Sequence, residues 1–224
     1  MNGTSVDLAL VLDASGSLNY DGWAQLVTFC INFIERLTIG PSDTQVAVIV
    51  FGSNAAVQFH FGVHNSRVDL EGAIKSIQYT GGSTNLNEAL FLVWSDVYAS
   101  GGGSRPGVNR IAVIITDGED TENVDQTPSN ATKCKDNGIR LMAVGVGNAV
   151  NAARLRNIVS VPSDRNYYNV SAYSELAKIM GSLGSSIQDC HPASTFIPIP
   201  IATTSTTTCL FDVTIFTLVC VQYC

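Results

Sequence analysis

The chain has 224 residues, 12 lysines and arginines, 19 aspartates and glutamates, and a formal net charge of −7. This length is sufficient for one α/β domain with a covered sheet and too short for two such domains with ordinary cores. Because basic residues are few, the composition predicts no electrostatic surface for nucleic acid or for an anionic membrane. We therefore expect neither nucleic-acid binding nor direct membrane binding by the domain.

Apolar segments alternate with amphipathic segments over the first 190 residues. Continuous apolar runs are typical of buried strands, and apolar residues that repeat at three and four are typical of helices. Strands are predicted at 6–12, 45–51, 56–61, 110–116, 140–146 and 167–170, and helices at 20–37, 67–77, 86–98, 127–137 and 174–187. The turn Gly52-Ser53-Asn54 is short enough to require an antiparallel hairpin. The sequence therefore predicts a doubly wound, Rossmann-like α/β domain: a mostly parallel six-stranded sheet with one antiparallel edge strand and helices on both faces.

The composition changes after residue 190, which we take as the end of the folded domain 1–190. Residues 191–208 are rich in proline and threonine, a composition that cannot bury a core and predicts a linker. Residues 209–224 are apolar, but this tail is only 16 residues long and contains Asp212, so it falls short of a membrane span. We interpret the tail as the start of a truncated next module, with a cleaved lipid-anchor signal as the alternative.

Three tripeptides have the pattern of N-glycosylation acceptors and begin at Asn2, Asn130 and Asn169. Together with six cysteines, they favour an extracellular location, secreted or at the cell surface. No basic and then apolar signal segment precedes the first strand, so we expect the chain to be a fragment. Asn130 is expected in an exposed loop before a helix.

Polar side chains follow two of the predicted strands. Asp13-Ala14-Ser15-Gly16-Ser17 comes directly after the first strand, and Asp117 follows the strand at 110–116. If the strand order reverses between these strands, Asp13 and Asp117 lie side by side at the carboxyl edge of the sheet. Carboxylate and hydroxyl oxygens are hard ligands that suit Mg2+. The sequence therefore predicts a divalent-cation site at this edge.

A third segment, Gly81-Gly82-Ser83-Thr84-Asn85, places Thr84 on a loop before a helix. Each of the three segments also has a purely structural interpretation. Ser17 or Asn19 would cap the following helix, Thr84 would cap its own, and Asp117 would be a turn aspartate. The residues of any one segment do not decide between the two interpretations.

Taken together, the three segments resemble the von Willebrand factor type A family, and the resemblance covers about residues 5 to 190. The positions that match the family's metal-ion-dependent adhesion site (MIDAS) are Asp13, Ser15, Ser17, Thr84 and Asp117. The resemblance is strongest to the A domains of matrilins, collagens and other matrix proteins. One departure is that no cysteine precedes the first strand to pair with Cys190.

The resemblance implies that the five residues hold Mg2+, with Mn2+ or Ca2+ as alternatives, directly or through water. One coordination position would remain for an aspartate or glutamate of a protein ligand, such as collagen or another matrix protein. It also implies that the loop carrying Thr84 moves together with the last helix, 174–187.

Signals for catalysis are weak. No Gly-x-Ser-x-Gly elbow, Walker loop or paired Cys-x-x-Cys occurs, so the chain is not predicted to be an enzyme. The alternatives to an adhesion module are a structural matrix-assembly domain with an unused metal site and a Mg2+-dependent hydrolase. The acidic residues Asp117, Glu119, Asp120, Glu122 and Asp125 are predicted to rim the site without forming a second one, and His60, His64 and His191 to bind no zinc.

The two cysteines inside the predicted helices are not expected to pair. Crossover connections that leave the switch point in opposite directions place Cys30 and Cys134 on opposite faces of the sheet. We therefore predict that Cys30 is a small core residue.

Overall fold

The computed structural model describes residues 5–188. These residues form one six-stranded sheet with the spatial order β3-β2-β1-β4-β5-β6. All neighbouring strands are parallel except β2 and β3, which are antiparallel. The strands are β1 (Val6–Asp13), β2 (Thr44–Phe51), β3 (Ala55–Phe59), β4 (Asn109–Thr116), β5 (Ile139–Val146) and β6 (Tyr167–Val170). The predicted fold class is confirmed, including the antiparallel edge strand.

Helices cover both faces of the sheet. They are α1 (Asn19–Ile34), α2 (Arg67–Ser76), α3 (Leu86–Leu92), α4 (Thr127–Asp136), α5 (Ala152–Ile158), α6 (Ser163–Asn166) and α7 (Leu176–Gln188). A π-helical turn, Val93–Val97, continues α3, and a 3-10 turn, Tyr173–Glu175, precedes α7. None of the helices within residues 5–188 is long and apolar enough to cross a membrane.

The core has two layers separated by the sheet. Alternate residues of β1 belong to different layers: Leu8, Leu10 and Leu12 pack with α1, α2 and α7, whereas Ala9 and Val11 pack with α3, α4 and α5. Because β1 is buried on both faces, its apolar residues run without alternation. Cys30 lies in the first layer, as predicted for a small core residue, and Cys134 in the second, so the two lie on opposite faces of the sheet as expected. Within residues 5–188 both are buried, free thiols.

Two short helices were missed by the sequence analysis. The longer one, α5, has only seven residues, of which Leu155 and Ile158 are buried. Two buried positions give too little periodicity to identify a helix. A clearer signal was Asn151, whose side chain caps α5 by accepting a hydrogen bond from the Arg154 backbone N–H at 3.1 Å.

An ion pair holds the amino-terminal edge of the sheet. Asp7 interrupts the apolar run of β1 and is fully buried, and its carboxylate accepts hydrogen bonds from the Arg105 backbone N–H at 2.6 Å and from Arg105 Nε at 2.8 Å. The same guanidinium donates to the carbonyls of Val6, Pro41 and Asp43. Arg105 therefore satisfies a buried charge and ties the glycine-rich loop before β4 to β1 and to the turn before β2.

We expect Arg105→Met to lower the free energy of unfolding by about 3–5 kcal/mol, because it leaves the Asp7 carboxylate buried without its cation. Urea denaturation of the two proteins measures the loss. The double variant Asp7→Asn/Arg105→Met removes the unpaired charge and should recover part of it. Equal stability of Arg105→Met and the wild type would show that the pair does not hold this edge.

Candidate metal centre

The three predicted segments meet at the carboxyl ends of β1 and β4, where the strand order reverses. The backbone N–H of Gly81 donates to the Ala14 carbonyl at 2.8 Å, and that of Gly16 donates to the Gly82 carbonyl at 2.8 Å. The approach is close: a Cβ atom at Gly52 would lie 2.4 Å from the Gly81 oxygen, and Gly82 has a φ of +92°. Glycine is required here because a side chain would separate the loops or strain the backbone.

The innermost side chain of the centre is that of Asp13, which is fully buried. Its Oδ1 accepts a hydrogen bond from the Ser15 backbone N–H at 2.8 Å, and its Oδ2 accepts one from the Thr116 hydroxyl at 2.5 Å. The carboxylate is thereby fixed in orientation by both strands of the switch point. The sequence analysis assigned no role to Thr116, although it directly precedes Asp117.

A chain of oxygen atoms leads outward from Asp13. The hydroxyls of Ser15 and Ser17 lie 3.0 Å apart, and the Ser17 hydroxyl donates to Asp117 Oδ1 at 2.6 Å. Adjacent ligands of an octahedral Mg2+ ion, each about 2.0–2.1 Å from the metal, are about 2.9 Å apart. The spacing and the hard-oxygen chemistry of these groups therefore fit a small divalent cation.

Thr84 lies at the edge of this cluster. This residue is 6% exposed, and a Cβ atom at Gly118 would be 3.5 Å from Thr84 Oγ1 and 3.6 Å from Ser17 Oγ. Within residues 5–188, the Thr84 hydroxyl makes no hydrogen bond to the other four predicted residues. Its backbone is anchored to the third loop, because Thr84 N–H donates to Thr121 Oγ1 at 3.0 Å and the Thr84 carbonyl accepts from Thr121 N–H at 2.9 Å.

In two of the segments an asparagine caps the helix: Asn19, one of the two caps considered for the first segment, and Asn85, which caps α3 in place of Thr84. Asn19 Oδ1 accepts from the backbone N–H groups of Asp21 and Gly22 in the first turn of α1. Asn85 Oδ1 accepts from the Glu88 N–H in the first turn of α3. Ser17 and Thr84 are therefore not needed as helix caps.

The acidic residues after β4 also divide into different roles. Asp120 Oδ1, not Asp117, accepts from the Leu86 N–H at the start of α3, and Asp120 Oδ2 accepts from the Thr127 hydroxyl. Glu119 and Asp125 are exposed. Across the described range, no group of three or more His, Cys, Asp or Glu residues is arranged to hold a metal. The candidate centre itself has only two carboxylates, and its remaining donors are hydroxyls.

The histidines within residues 5–188 lie elsewhere. His60 Nε2 is 2.9 Å from Asp96 Oδ1, and the His64 ring packs against the Phe59 ring in a T-shaped arrangement. His191 lies outside the described residues.

Without a cation, the surroundings of the centre disfavour the ionised forms of both carboxyl groups. Burial raises the pKa of Asp13 to about 6, against the hydrogen bonds from Thr116 and Ser15, and the Asp117 charge adds to the rise. Burial likewise raises the pKa of Asp117, although the Ser17 hydroxyl opposes it. A bound divalent ion would reverse this effect by favouring both ionised forms.

Tyr173 is a neighbour of the centre that the sequence analysis did not identify. Its ring packs beside Gly22 of α1, where a Cβ atom would lie 3.5 Å from it, and its hydroxyl is buried without a hydrogen-bond partner among the described residues. Burial raises the pKa of Tyr173, and the carboxylates of Asp117 and Asp13 raise it further. Since Tyr173 begins the turn before α7, it places the start of the last helix within electrostatic range of the centre.

The expectation that Asn130 lies in an exposed loop is wrong. Asn130 lies in α4 and is 7% exposed; its Nδ2 donates to Asn87 Oδ1 at 2.9 Å, and its Oδ1 accepts from Trp94 Nε1 at 3.2 Å. A glycan on Nδ2 is incompatible with this packing. Asn169 is exposed on β6, and its glycosylation stays a prediction, whereas Asn2 lies outside the described residues.

The fold and its three loops define a doubly wound α/β domain with a candidate cation site at the switch point. The family model of the von Willebrand factor type A domain matches residues 7–182, and the chain belongs to this family.

Its relatives include matrix and adhesion proteins. Chicken matrilin-1 is 28% identical over 80% of this chain and 35% of its own length. Cuticlin-6 of Caenorhabditis elegans is 30% identical over 79% of this chain and 29% of its own length. Bovine integrin alpha-2 is 29% identical over 81% of this chain and 16% of its own length. The chain thus spans about a third or less of these relatives.

Solved structures with the same fold include proximal thread matrix protein 1 from the mussel byssus, with a TM-score of 0.75 and 25% identity over 83% of this chain and 46% of that one. Another structure of that protein has a zinc-occupied MIDAS motif, with a TM-score of 0.74 and 27% identity over 81% of this chain and 45% of that one.

We expect Asp13→Asn to stabilise the metal-free domain at pH 7 by on the order of 1–3 kcal/mol, because it removes a buried charge. Folding raises the pKa of Asp13 from 3.8 to about 6, so the protonated carboxyl stabilises the folded state. This contribution is complete below about pH 3.8 and is lost as the pH rises through about 6. The gain should therefore be smaller at pH 4.5 than at pH 7. Urea denaturation in metal-free buffer measures both values, with the exposed Glu119→Gln as the matched control. An equal gain at both pH values would contradict this account.

Proposed function

We propose that this chain is an extracellular adhesion or matrix-binding module that coordinates a divalent cation, preferably Mg2+, and binds an acidic residue of a protein ligand through it. The observation that carries the proposal is the oxygen chain of Ser15, Ser17 and Asp117 beside the buried Asp13 carboxylate. The matrix and adhesion proteins among its relatives, and the zinc-occupied MIDAS of a structural neighbour, support it.

The donor set explains why an outside ligand is needed. Asp13, Ser15, Ser17, Thr84 and Asp117 would hold the cation directly or through water. A bound divalent ion would supply a Lewis-acidic charge that accepts an anionic oxygen. Because only two of these five side chains are charged, the protein barely neutralises that ion, and a carboxylate of a partner completes the coordination.

The side chains around the centre also favour ligand binding over hydrolysis. Among the described residues, three side chains hydrogen-bond to the centre from outside it: Thr116 at Asp13, Thr121 at the Thr84 backbone, and Tyr79, whose hydroxyl donates to the Ser15 carbonyl at 2.9 Å. None of the three is the histidine, lysine or spare carboxylate that would serve as a general base at neutral pH. We therefore assign no enzymatic activity, and matrix proteins such as collagens are the proposed partners.

We expect one principal site for Mg2+ or Mn2+, observed as saturable heat in calorimetry at millimolar metal. Asp13→Ala should abolish the signal because it removes the innermost carboxylate. Glu119→Gln, an exposed acidic residue of the adjoining loop, should leave it unchanged. The absence of metal heat in the wild type would refute the proposal. Ligand binding that persists in EDTA would instead favour a structural assembly domain with an unused site.

We expect Thr84→Ala to weaken ligand binding much more than metal binding, whereas Asp13→Ala weakens both. The change removes one oxygen but no charge, and a ligand carboxylate pulls the domain toward the conformation in which the Thr84 hydroxyl coordinates. Solid-phase binding to a panel of collagens and matrix proteins at saturating Mg2+ provides the measurement. Ser83→Ala is the matched control, since that hydroxyl bonds to Ser53 and not to the centre. Unchanged ligand binding by Thr84→Ala would disprove the role given to this residue.

A further inference from the structure

A half-enclosed cavity of about 290 Å³ lies beside the candidate metal centre. It is bounded by the loop after β4, the first turn of α4, and α5. Thr84, Thr116 and Gly118 line it, and the same three residues form or adjoin the metal centre. The cavity and the centre therefore share a wall, and a ligand at one is next to the other.

The surface of this cavity is mostly apolar. Leu86, Leu155 and Ile158, each no more than 5% exposed, form its inner part, and Val124 and Pro128 lie toward its mouth. A pocket with these walls is stabilised by an apolar occupant, because the occupant and the walls both lose contact with water.

The less exposed polar groups around the cavity, those of Asp120 and Asn151, already have hydrogen-bond partners. Both carboxylate oxygens of Asp120 accept hydrogen bonds, from the Leu86 N–H and the Thr127 hydroxyl, and the Asn151 carbonyl oxygen accepts from the Arg154 N–H. The positive charge of Arg154 also acts on Asp120. Two further carboxylates that line the cavity, Glu119 and Asp125, are exposed to solvent, so a basic side chain would meet solvated charges at the surface and no buried partner in the apolar inner part.

We infer that this cavity receives an apolar side chain, the size of leucine or phenylalanine, from the same protein segment whose acidic residue binds at the metal centre. The inference rests on the proposed function. An acidic residue alone does not distinguish one protein ligand from another, and the apolar side chain would add this selectivity. Size permits it, because an apolar cavity of roughly 150 Å³ holds benzene. Burying such a side chain would strengthen binding by about tenfold to 100-fold.

The cavity is tested first without any metal ligand. N-acetyl-phenylalaninamide and N-acetyl-leucinamide are titrated into protein with 13C-labelled methyl groups, and N-acetyl-lysinamide serves as the competing chemistry. The two apolar amides should give saturable shifts at the methyls of Leu86, Leu155 and Ile158, and the lysine amide should give none. An absence of saturable shifts, or equal shifts with the lysine amide, overturns the inference.

A variant that fills the cavity tests whether the amides bind there. Asn157 lines the cavity from α5 and is exposed, so Asn157→Trp occupies the space without removing a core side chain. Ala153→Trp is the matched control, because Ala153 is exposed on the same helix and does not line the cavity. The shifts should disappear in Asn157→Trp and persist in Ala153→Trp. Shifts that persist in both variants place the amides elsewhere and overturn the inference.

The link to the metal centre is tested with a synthetic heptapeptide library that has aspartate at its central position. In Mg2+, the wild type should select leucine, isoleucine or phenylalanine at one fixed distance from the aspartate, and Asn157→Trp should lose that preference by about tenfold or more. Mg2+-dependent selection without an apolar preference overturns this inference alone. No Mg2+-dependent binding, with the methyl shifts intact, overturns the proposed function instead.

Discussion

The hydrogen bond between the Thr116 hydroxyl and the Asp13 carboxylate joins the two strands at which the sheet reverses its order. Because the chain leaves β1 and β4 in opposite directions, a crevice opens at their carboxyl ends, and this bond lies at its base. The loops with Ser15, Ser17 and Asp117 begin at these two strands. The positions of all the candidate oxygen ligands except that of Thr84 therefore depend on how β1 and β4 are held together.

The first strand carries a buried aspartate at each end, and the two carboxylates differ in how they are stabilised. At the amino end, the guanidinium of Arg105 neutralises Asp7, so this buried charge has a partner within the fold. At the carboxyl end, only neutral hydroxyls and a backbone N–H reach Asp13, so its charge is left for an ion from solution. The charge at the amino end of β1 is thus neutralised within the fold, whereas the charge at its carboxyl end is unfavourable until a cation binds. That asymmetry is consistent with a binding site built at the expense of stability.

The sequence was sufficient to predict the sheet, because β1, β2, β4 and β5 are buried on both faces and give uninterrupted apolar runs. It also predicted that the segments at Asp13 and Asp117 come together, since parallel strands end at the same edge. It named Asn19 as one of two candidate caps of α1 but could not choose it over Ser17, and it assigned the cap of α3 to Thr84 instead of Asn85, because serine, threonine and asparagine satisfy the same preference. Tyr173 and the apolar cavity depend on contacts between elements distant in the chain, which no local pattern records.

The buried Asn130 has a consequence for how the domain would mature in a secretory compartment. Oligosaccharide transfer acts on Asn-X-Ser/Thr in an extended chain, and the side chain of Asn130 becomes inaccessible only once α4 packs against Asn87 and Trp94. Helix packing and sugar transfer would therefore compete in time for the same amide nitrogen. A chain modified first could not close this face of the domain. Any substitution that slows the docking of α4 would then reduce the yield of secreted protein even where it leaves the stability of the finished fold unchanged.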